Sequence, residues 1–152
     1  MPELKTTNFG TIYYSDDSVF EFPGGLPGFE ERRRFIPVQN QRTAPILFLQ
    51  SLEIPSLCFI TMPILVVDPV YRLQVVEPDL EVLGFPAEYT PRIGEDVLCL
   101  AVLSIRESGP TANLLAPVVV NLSSHRAVQA VAPESHYSHR HALLPQEEPV
   151  CS

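Results

Sequence analysis

The chain is expected to fold as a small all-β domain, barrel-like, built from short antiparallel strands with one or two short helical turns. Three observations predict this. About nine short runs of β-branched, aromatic and aliphatic residues recur along the chain, with turn signals at intervals of about 8 to 12 residues, the spacing of sandwiches and barrels. Sixteen prolines stand in 152 residues, about twice the usual share. An interior proline costs a helix about 3 kcal/mol, so long helices are excluded. Hydrophobic residues make up 45% of the chain and mean hydropathy is +0.12, which excludes a disordered acidic chain. A chain of this length buries about 70% of its unfolded surface, enough for one core without metal or disulfides. One domain is expected over residues 1–144, with residues 145–152 as a disordered tail.

Taken in order, GTIYY at 10–14 and VFEF at 19–22, joined by the polar turn SDDS, predict a hairpin. FPGGLPGFE at 22–30 holds too many glycines and prolines for a ladder and predicts a loop with one helical turn near Pro27 to Glu31. Phe35–Val38, Ile46–Leu52 and Leu57–Met62 are strand candidates, the last two almost wholly apolar and therefore central. After Pro63 come a short apolar stretch, an Asp68-Pro69 turn and a candidate strand from Tyr71 to Val76. Pro78 to Leu83 is the best helix candidate: proline suits the first helical position, Asp79 and Glu81 suit the positive end of the dipole, and Gly84 suits the stop. VLCLAVLSI at 97–105 is expected to be a buried strand. Gly109-Pro110 breaks the chain, and VVVNL at 118–122 and RAVQAV at 126–131 have hairpin spacing.

The charge balance narrows the function. Ten basic and eighteen acidic residues give a formal net charge of -8, with Lys5 the single lysine, which argues against direct binding of nucleic acid and favours a basic protein partner. No apolar run is long enough to span a membrane, and MPELKTTNF lacks the features of a signal peptide, so the expected location is the cytoplasm. The acids Glu77, Asp79, Glu81, Glu88, Glu95 and Asp96 cluster around the predicted helix. They form either a patch that steers a basic partner or a solvated face, and Glu77, Asp79 and Glu81 are candidate partner contacts.

Sites for chemistry are sparse. Gly24, Gly25 and Gly28 could approach a phosphate, but the P-loop lysine and the G-x-G-x-x-G spacing are missing, so a structural corner is the expected role. His136, His139 and His141 are dense enough to ligate zinc, yet Arg140 interrupts them and no cysteine or carboxylate pair lies at ligand spacing. No metal and no cofactor is expected. Cys58 and Cys99 sit in apolar runs as small hydrophobes, Cys151 lies in the tail, and no disulfide framework is expected. No G-x-S-x-G elbow is present.

Four separated segments point further. FPGGLPGFE at 22–30, FLQSLEIPSLCF at 48–59, TANLLAPVVVN at 111–121, and Gln129 with YSHRH at 137–141 resemble the flagellar assembly factor FliW family, in the family's order and over nearly the whole chain. The resemblance implies a cytoplasmic bacterial protein with a small β-barrel-like fold, no catalytic activity and no cofactor. It implies two alternative protein partners, flagellin and the RNA-binding translational repressor CsrA, with no direct contact to nucleic acid. Flagellin would hold the factor until export frees it, and the free factor would bind CsrA and relieve repression of flagellin mRNA translation. Pro23, Gly24, Gly25, Pro27, Gly28, Asn113, Ala116, Pro117 and Asn121 match the motifs, as backbone caps and turns or as contacts. Gln50 and Ser51 are polar residues in an apolar strand, either a satisfied buried pair or an interface contact. The alternatives are a generic acidic β-barrel interaction module, or a metal-dependent hydrolase using the three histidines. The chain departs from the family's pattern in its tail beyond Leu144, its scarcity of lysine and the arginines at 32–34.

Overall fold

The computed structural model describes residues 1–131 and 135–143. Among them, two strands form a hairpin of their own, β1 (Glu3–Thr6) with β2 (Gly10–Tyr13). A single-turn 3-10 helix, Asp16–Ser18, leads to β3 (Phe20–Glu21), then β4 (Arg34–Gln39), β5 (Leu47–Ser51) and β6 (Cys58–Pro63). Two short helices follow, α1 (Ile64–Val67) and α2 (Glu77–Leu83), and then β7 (Val97–Arg106), β8 (Gly109–Asn121), β9 (Ala127–Gln129) and β10 (His141–Ala142). The main sheet is antiparallel in the order β10-β8-β7-β6-β5-β4-β3, with β9 also paired to β8. A parallel bridge between Glu21 and Arg126 joins its two ends, with the Glu21 N–H donating to the His125 carbonyl at 2.9 Å. The sheet is thereby nearly closed, a barrel-like all-β fold as the sequence predicts.

The two faces of this sheet carry two cores. Phe20, Phe35, Leu49, Leu100 and Val118, from strands around the sheet, and Phe22 just after β3 fill its inside. Cys99, Ala101, Leu103 and Val119 point the other way, where Ile64 of α1, Tyr71 and Leu83 of α2 cover them. Burial on both faces is why VLCLAVLSI and VVV read as unbroken apolar runs. Thirteen-residue β8 is longer than the sequence suggests, because Gly109-Pro110 closes a tight hairpin with β7 (Arg106 opposite Gly109) and ANLLAP lies within the strand. The register jumps from Leu100 opposite Val118 to Val102 opposite Asn113, so residues 114–117 bulge from the ladder.

Three expectations are corrected. The run at 10–14 does not pair with 19–22; it pairs back to β1, because SDDS folds into the 3-10 turn with the Ser15 hydroxyl accepting from the Asp17 N–H at 3.3 Å. No helical turn forms at Pro27–Glu31: Leu26 and Phe29 exchange backbone hydrogen bonds around Gly28, whose φ of 84° a helix cannot accept. Tyr71–Val76 is not a strand of the sheet, although its burial alternates, since no described strand lies beside it. Four elements go unanticipated: β1, the 3-10 turn at Asp16–Ser18, α1 and the two-residue β10. The helix at 77–83 stands one residue earlier than expected at its start and ends as expected, with Gly84 in the left-handed conformation at φ 85°. Pro37 is tolerated inside β4 because β3 stops opposite Arg34 and Phe35, leaving that edge unpaired. The expected disordered tail 145–152, Cys151, Pro133 and Leu144 lie outside the described residues.

The ring of Phe22 is fully buried and meets Phe35 edge-on at 5.4 Å. Phe22→Ala is expected to cost about 3 to 5 kcal/mol, measured as a lower urea midpoint by circular dichroism.

Candidate functional site

The glycine-rich loop is built for its own backbone. Gly25 has a φ of 68°, and a Cβ there would overlap the backbone of Glu30. Its N–H donates to the Phe22 carbonyl at 2.8 Å. The space an anion would need is filled by Glu30, so the loop is a corner. Glu53, a residue the sequence reading passed over, locks the loop's exit: one carboxylate oxygen accepts from the Arg33 and Arg34 N–H groups at 3.0 and 2.9 Å. Two main-chain donors with no sheet partner nearby are the signal that such a carboxylate is needed.

Gln50 and Ser51 are fully buried in β5. The Gln50 amide nitrogen donates to the carbonyls of Ser51 and Pro55 at 3.0 and 3.2 Å, and the Ser51 hydroxyl accepts from the Glu53 and Ile54 N–H groups, both at 3.0 Å. They pin the turn after β5 rather than bonding side chain to side chain, and Gln50 Oε1 has no partner among the described residues. Asn113 opens the β8 bulge, its Oδ1 accepting from the N–H groups of Leu115 and Ala116 at 3.0 and 2.9 Å. Gln129 holds the far side of the bulge, donating to the Ala116 carbonyl at 2.9 Å, and Tyr71 donates to the Leu114 carbonyl at 2.8 Å. Tyr71 is a second residue that sequence reasoning missed. Burial is the main cause that pushes its phenol pKa up.

Asn121 sits where the barrel meets the helix. Its Nδ2 donates to the carbonyl of Leu83, the last residue of α2, at 2.7 Å, and its Oδ1 accepts from the Ser123 N–H at 2.8 Å. The helix is fixed by this bond and by its buried Leu80 and Leu83. Glu77 and Glu81, one turn apart and both exposed, flank a concavity of about 420 Å³ that Leu80, Phe85 and Ala87 also line. Glu77 is partly committed, since its carboxylate accepts from the Glu88 N–H at 2.9 Å. Asp79 turns away toward the covered side and is half-buried, and burial raises its carboxyl pKa. Farther along, Asp96 accepts from the Tyr89 hydroxyl at 2.7 Å and from the Arg92 N–H at 2.8 Å, and Arg92 also pairs with Glu95 at 2.6 Å. The Tyr89 hydrogen bond is the first cause that lowers the Asp96 pKa, and the same bond raises that of Tyr89. So Glu95 and Asp96 are partly neutralised, whereas Glu77 and Glu81 have no ion-pair partner among the described residues.

The six candidates therefore do not form one constellation. Asn121 belongs with Glu77, Asp79 and Glu81 through α2, while Gln50 and Asn113 hold separate turns. His136 stacks on Tyr137 at 4.7 Å, His139 is exposed, and His141 lies in β10. Among the described residues no three of His, Cys, Asp and Glu gather as metal ligands. No helix among them is long and apolar enough to cross a membrane.

A family model described as "FliW protein" matches residues 3–143. The chain belongs to the FliW family. It is 32% identical to the flagellar assembly factor FliW of Caldanaerobacter subterraneus subsp. tengcongensis, over 93% of each chain. It is 36% identical to that of Pseudothermotoga lettingae, over 95% of this chain and 90% of the relative. A crystal structure of the flagellar assembly factor FliW superposes with a TM-score of 0.83 at 28% identity, covering 97% of this chain and all of that one.

Two outcomes follow from this geometry. Asn121→Asp keeps the acceptor for Ser123 but faces the Leu83 carbonyl with oxygen, so it is expected to cost about 2 kcal/mol. Urea unfolding measures the loss, and hydrogen exchange should quicken first at α2. Burial pushes the thiols of Cys58 and Cys99 up to about 11 and about 12. Both are expected to resist iodoacetamide at pH 8 in the folded protein and to react in urea, read by peptide mass mapping.

Proposed function

We propose that this FliW-family chain is a non-catalytic cytoplasmic flagellar assembly factor with two alternative protein partners, the translational repressor CsrA and flagellin. Bound to CsrA, it relieves repression of flagellin mRNA translation; bound to flagellin, it is withheld from that task. The observation that carries the reading is the exposed pair Glu77 and Glu81, held one turn apart on a helix anchored to the barrel and free of basic partners among the described residues. A fixed anionic surface on a chain of net charge -8 suits a basic RNA-binding partner. Such charges raise the encounter rate and, once docked, disfavour a second polyanion within about 8 Å, the physiological screening length. Asn121 positions this surface by holding the end of α2, while Asp79, Gln50 and Asn113 stand apart from it and act through the fold. The domain that does this spans residues 1–144.

The direct test mixes the purified protein with the CsrA and the flagellin of its own organism and follows complex formation by calorimetry. A complex with each is expected, the CsrA complex weakening as salt rises; no complex with either sinks the reading. Glu77→Lys with Glu81→Lys is expected to weaken the CsrA complex about 10-fold or more at low salt while leaving the unfolding midpoint nearly unchanged, because exposed charges contribute little to stability. Unaltered affinity would move the contact off α2.

A further inference from the structure

The segment Tyr71–Val76 has the chemistry of a strand and, among the described residues, no strand beside it. Exposed Arg72 and Gln74 alternate with half-buried Leu73 and Val75, and Leu73 and Val75 pack on the outer core, the alternation of an extended backbone, which Val76 at the segment's end adopts with φ -73° and ψ 158°. Arg72 donates its N–H to the Tyr137 hydroxyl at 2.9 Å. In extended backbone the N–H and C=O of one residue point to the same edge and those of the next to the opposite edge. Leu73 and Val75 therefore present both groups on the edge away from Tyr137. Among the described residues nothing bonds to them there. Along this segment runs a groove of about 690 Å³ whose other wall is Tyr89 to Ile93. That wall contains Pro91, which has no N–H to give. Leu65, Tyr71 and Ile93 supply apolar lining.

We propose that this edge accepts an extended segment of a partner protein by strand addition. The donors and acceptors of Leu73 and Val75 pair with two residues of that segment in antiparallel register, and its alternate side chains, aliphatic, enter the groove. Five groove residues of the segment, at roughly 3.3 Å each, offer about 17 Å of backbone, enough for this pairing. A short row of open donors and acceptors selects a β-strand over a helix, since a helix has no lateral backbone groups to offer. Arg72 is exposed, lines the groove and has no carboxylate partner among the described residues, so a carboxylate on an outward residue of the incoming strand completes the fit. Pro69 and Pro78 close off the segment's ends against open-ended pairing. This surface is separate from the exposed acids of α2 and does not depend on which partner they meet.

The test uses a pool of acetylated octapeptides that alternate Val, Ile, Leu or Phe with Thr, with and without one Glu among the Thr positions, titrated into isotope-labelled protein. Saturable binding is expected, with amide exchange at Leu73 and Val75 slowed about 10-fold or more, since each backbone bond adds about 1 kcal/mol. N-methylation of the two pairing residues of a bound peptide should abolish binding, while N-methylation of their neighbours should leave it. Arg72→Glu should weaken binding of the Glu-containing peptides and spare the others. The proposal is overturned if no peptide binds at millimolar concentration, if binding ignores N-methylation, or if the Leu73 and Val75 amides are already protected in the free protein. Protection that grows with protein concentration alone would assign the edge to a second copy of this chain and would equally overturn it.

Discussion

Everything else in the molecule hangs on the turn from Asn121 to Arg126. A sheet of short strands gains little from any one pairing, and a barrel with one open seam exposes a row of unpaired backbone groups. This turn closes the seam. The Asn121 N–H donates to the Arg126 carbonyl and the His125 N–H to the Asn121 carbonyl, both at 2.8 Å, and the His125 carbonyl then takes the Glu21 N–H. The tightness requires His125 at a φ of 62°, an uncommon conformation for a residue with a Cβ, and the His125 ring lies edge-on against Phe20 at 5.6 Å. The side chain of Asn121, meanwhile, reaches the other way to the end of α2. One turn joins the inner core, the seam and the helix that carries the exposed acids.

Charge is distributed accordingly. β7 and β8 are buried on both faces, so acids are pushed out to the turns and to the layer that covers the outer core. There the chain treats them in two ways. Asp96 is drawn into a local network with Tyr89 and Arg92, which organises the loop leading into β7. Glu77 and Glu81 point to water from a helix only two turns long, whose own propensity could not hold it. Its stability is borrowed from the buried Leu80 and Leu83 and from Asn121. An anionic surface made this way is rigid at little cost in ordering, which is what a charge-steered encounter needs if it is to end in one orientation.

The sequence made legible what local chemistry decides. The runs that became β4 to β9, the two-sided burial of 97–103, the αL stop at Gly84 and the role of the glycine loop as a corner all follow from residue type and spacing; the exposure of Ser104 and Ile105 at the end of the run does not. What it hid is pairing between distant segments. Nothing in GTIYY says that its partner is ELKT rather than VFEF; that depends on Phe9 packing on Phe48 at 5.1 Å and on the Thr7 N–H reaching the Pro55 carbonyl. RLQVV has the alternation of a strand, yet among the described residues no strand lies beside it. The bulge in β8 could not be read either, because its stabilisers, Tyr71, Gln129 and Asn113, come together only in three dimensions. Of the candidate site, the acids on α2 were visible as a cluster of charge, while the separation of Asp79 from Glu77 and Glu81 required knowing which side of the helix is covered.

This division bears on how partner binding is to be understood. The four segments by which the chain resembles its family hold several residues that satisfy or fit backbone groups: Gly25 against Glu30, Ser51 beneath the turn after β5, Asn113 in the bulge, Asn121 at the helix end. A substitution at any of them leaves buried donors or acceptors unpaired, or strains a turn, and acts through the fraction of molecules that are folded. Such variants lose every partner together. The residues proposed to meet partners, Glu77, Glu81 and Arg72, are exposed instead, and changing them is expected to alter one affinity while the fold persists. The proposed recognition surface and the residues that hold the fold are therefore different sets, linked through the few side chains, Asn121 above all, that transmit the geometry of the barrel to its surface.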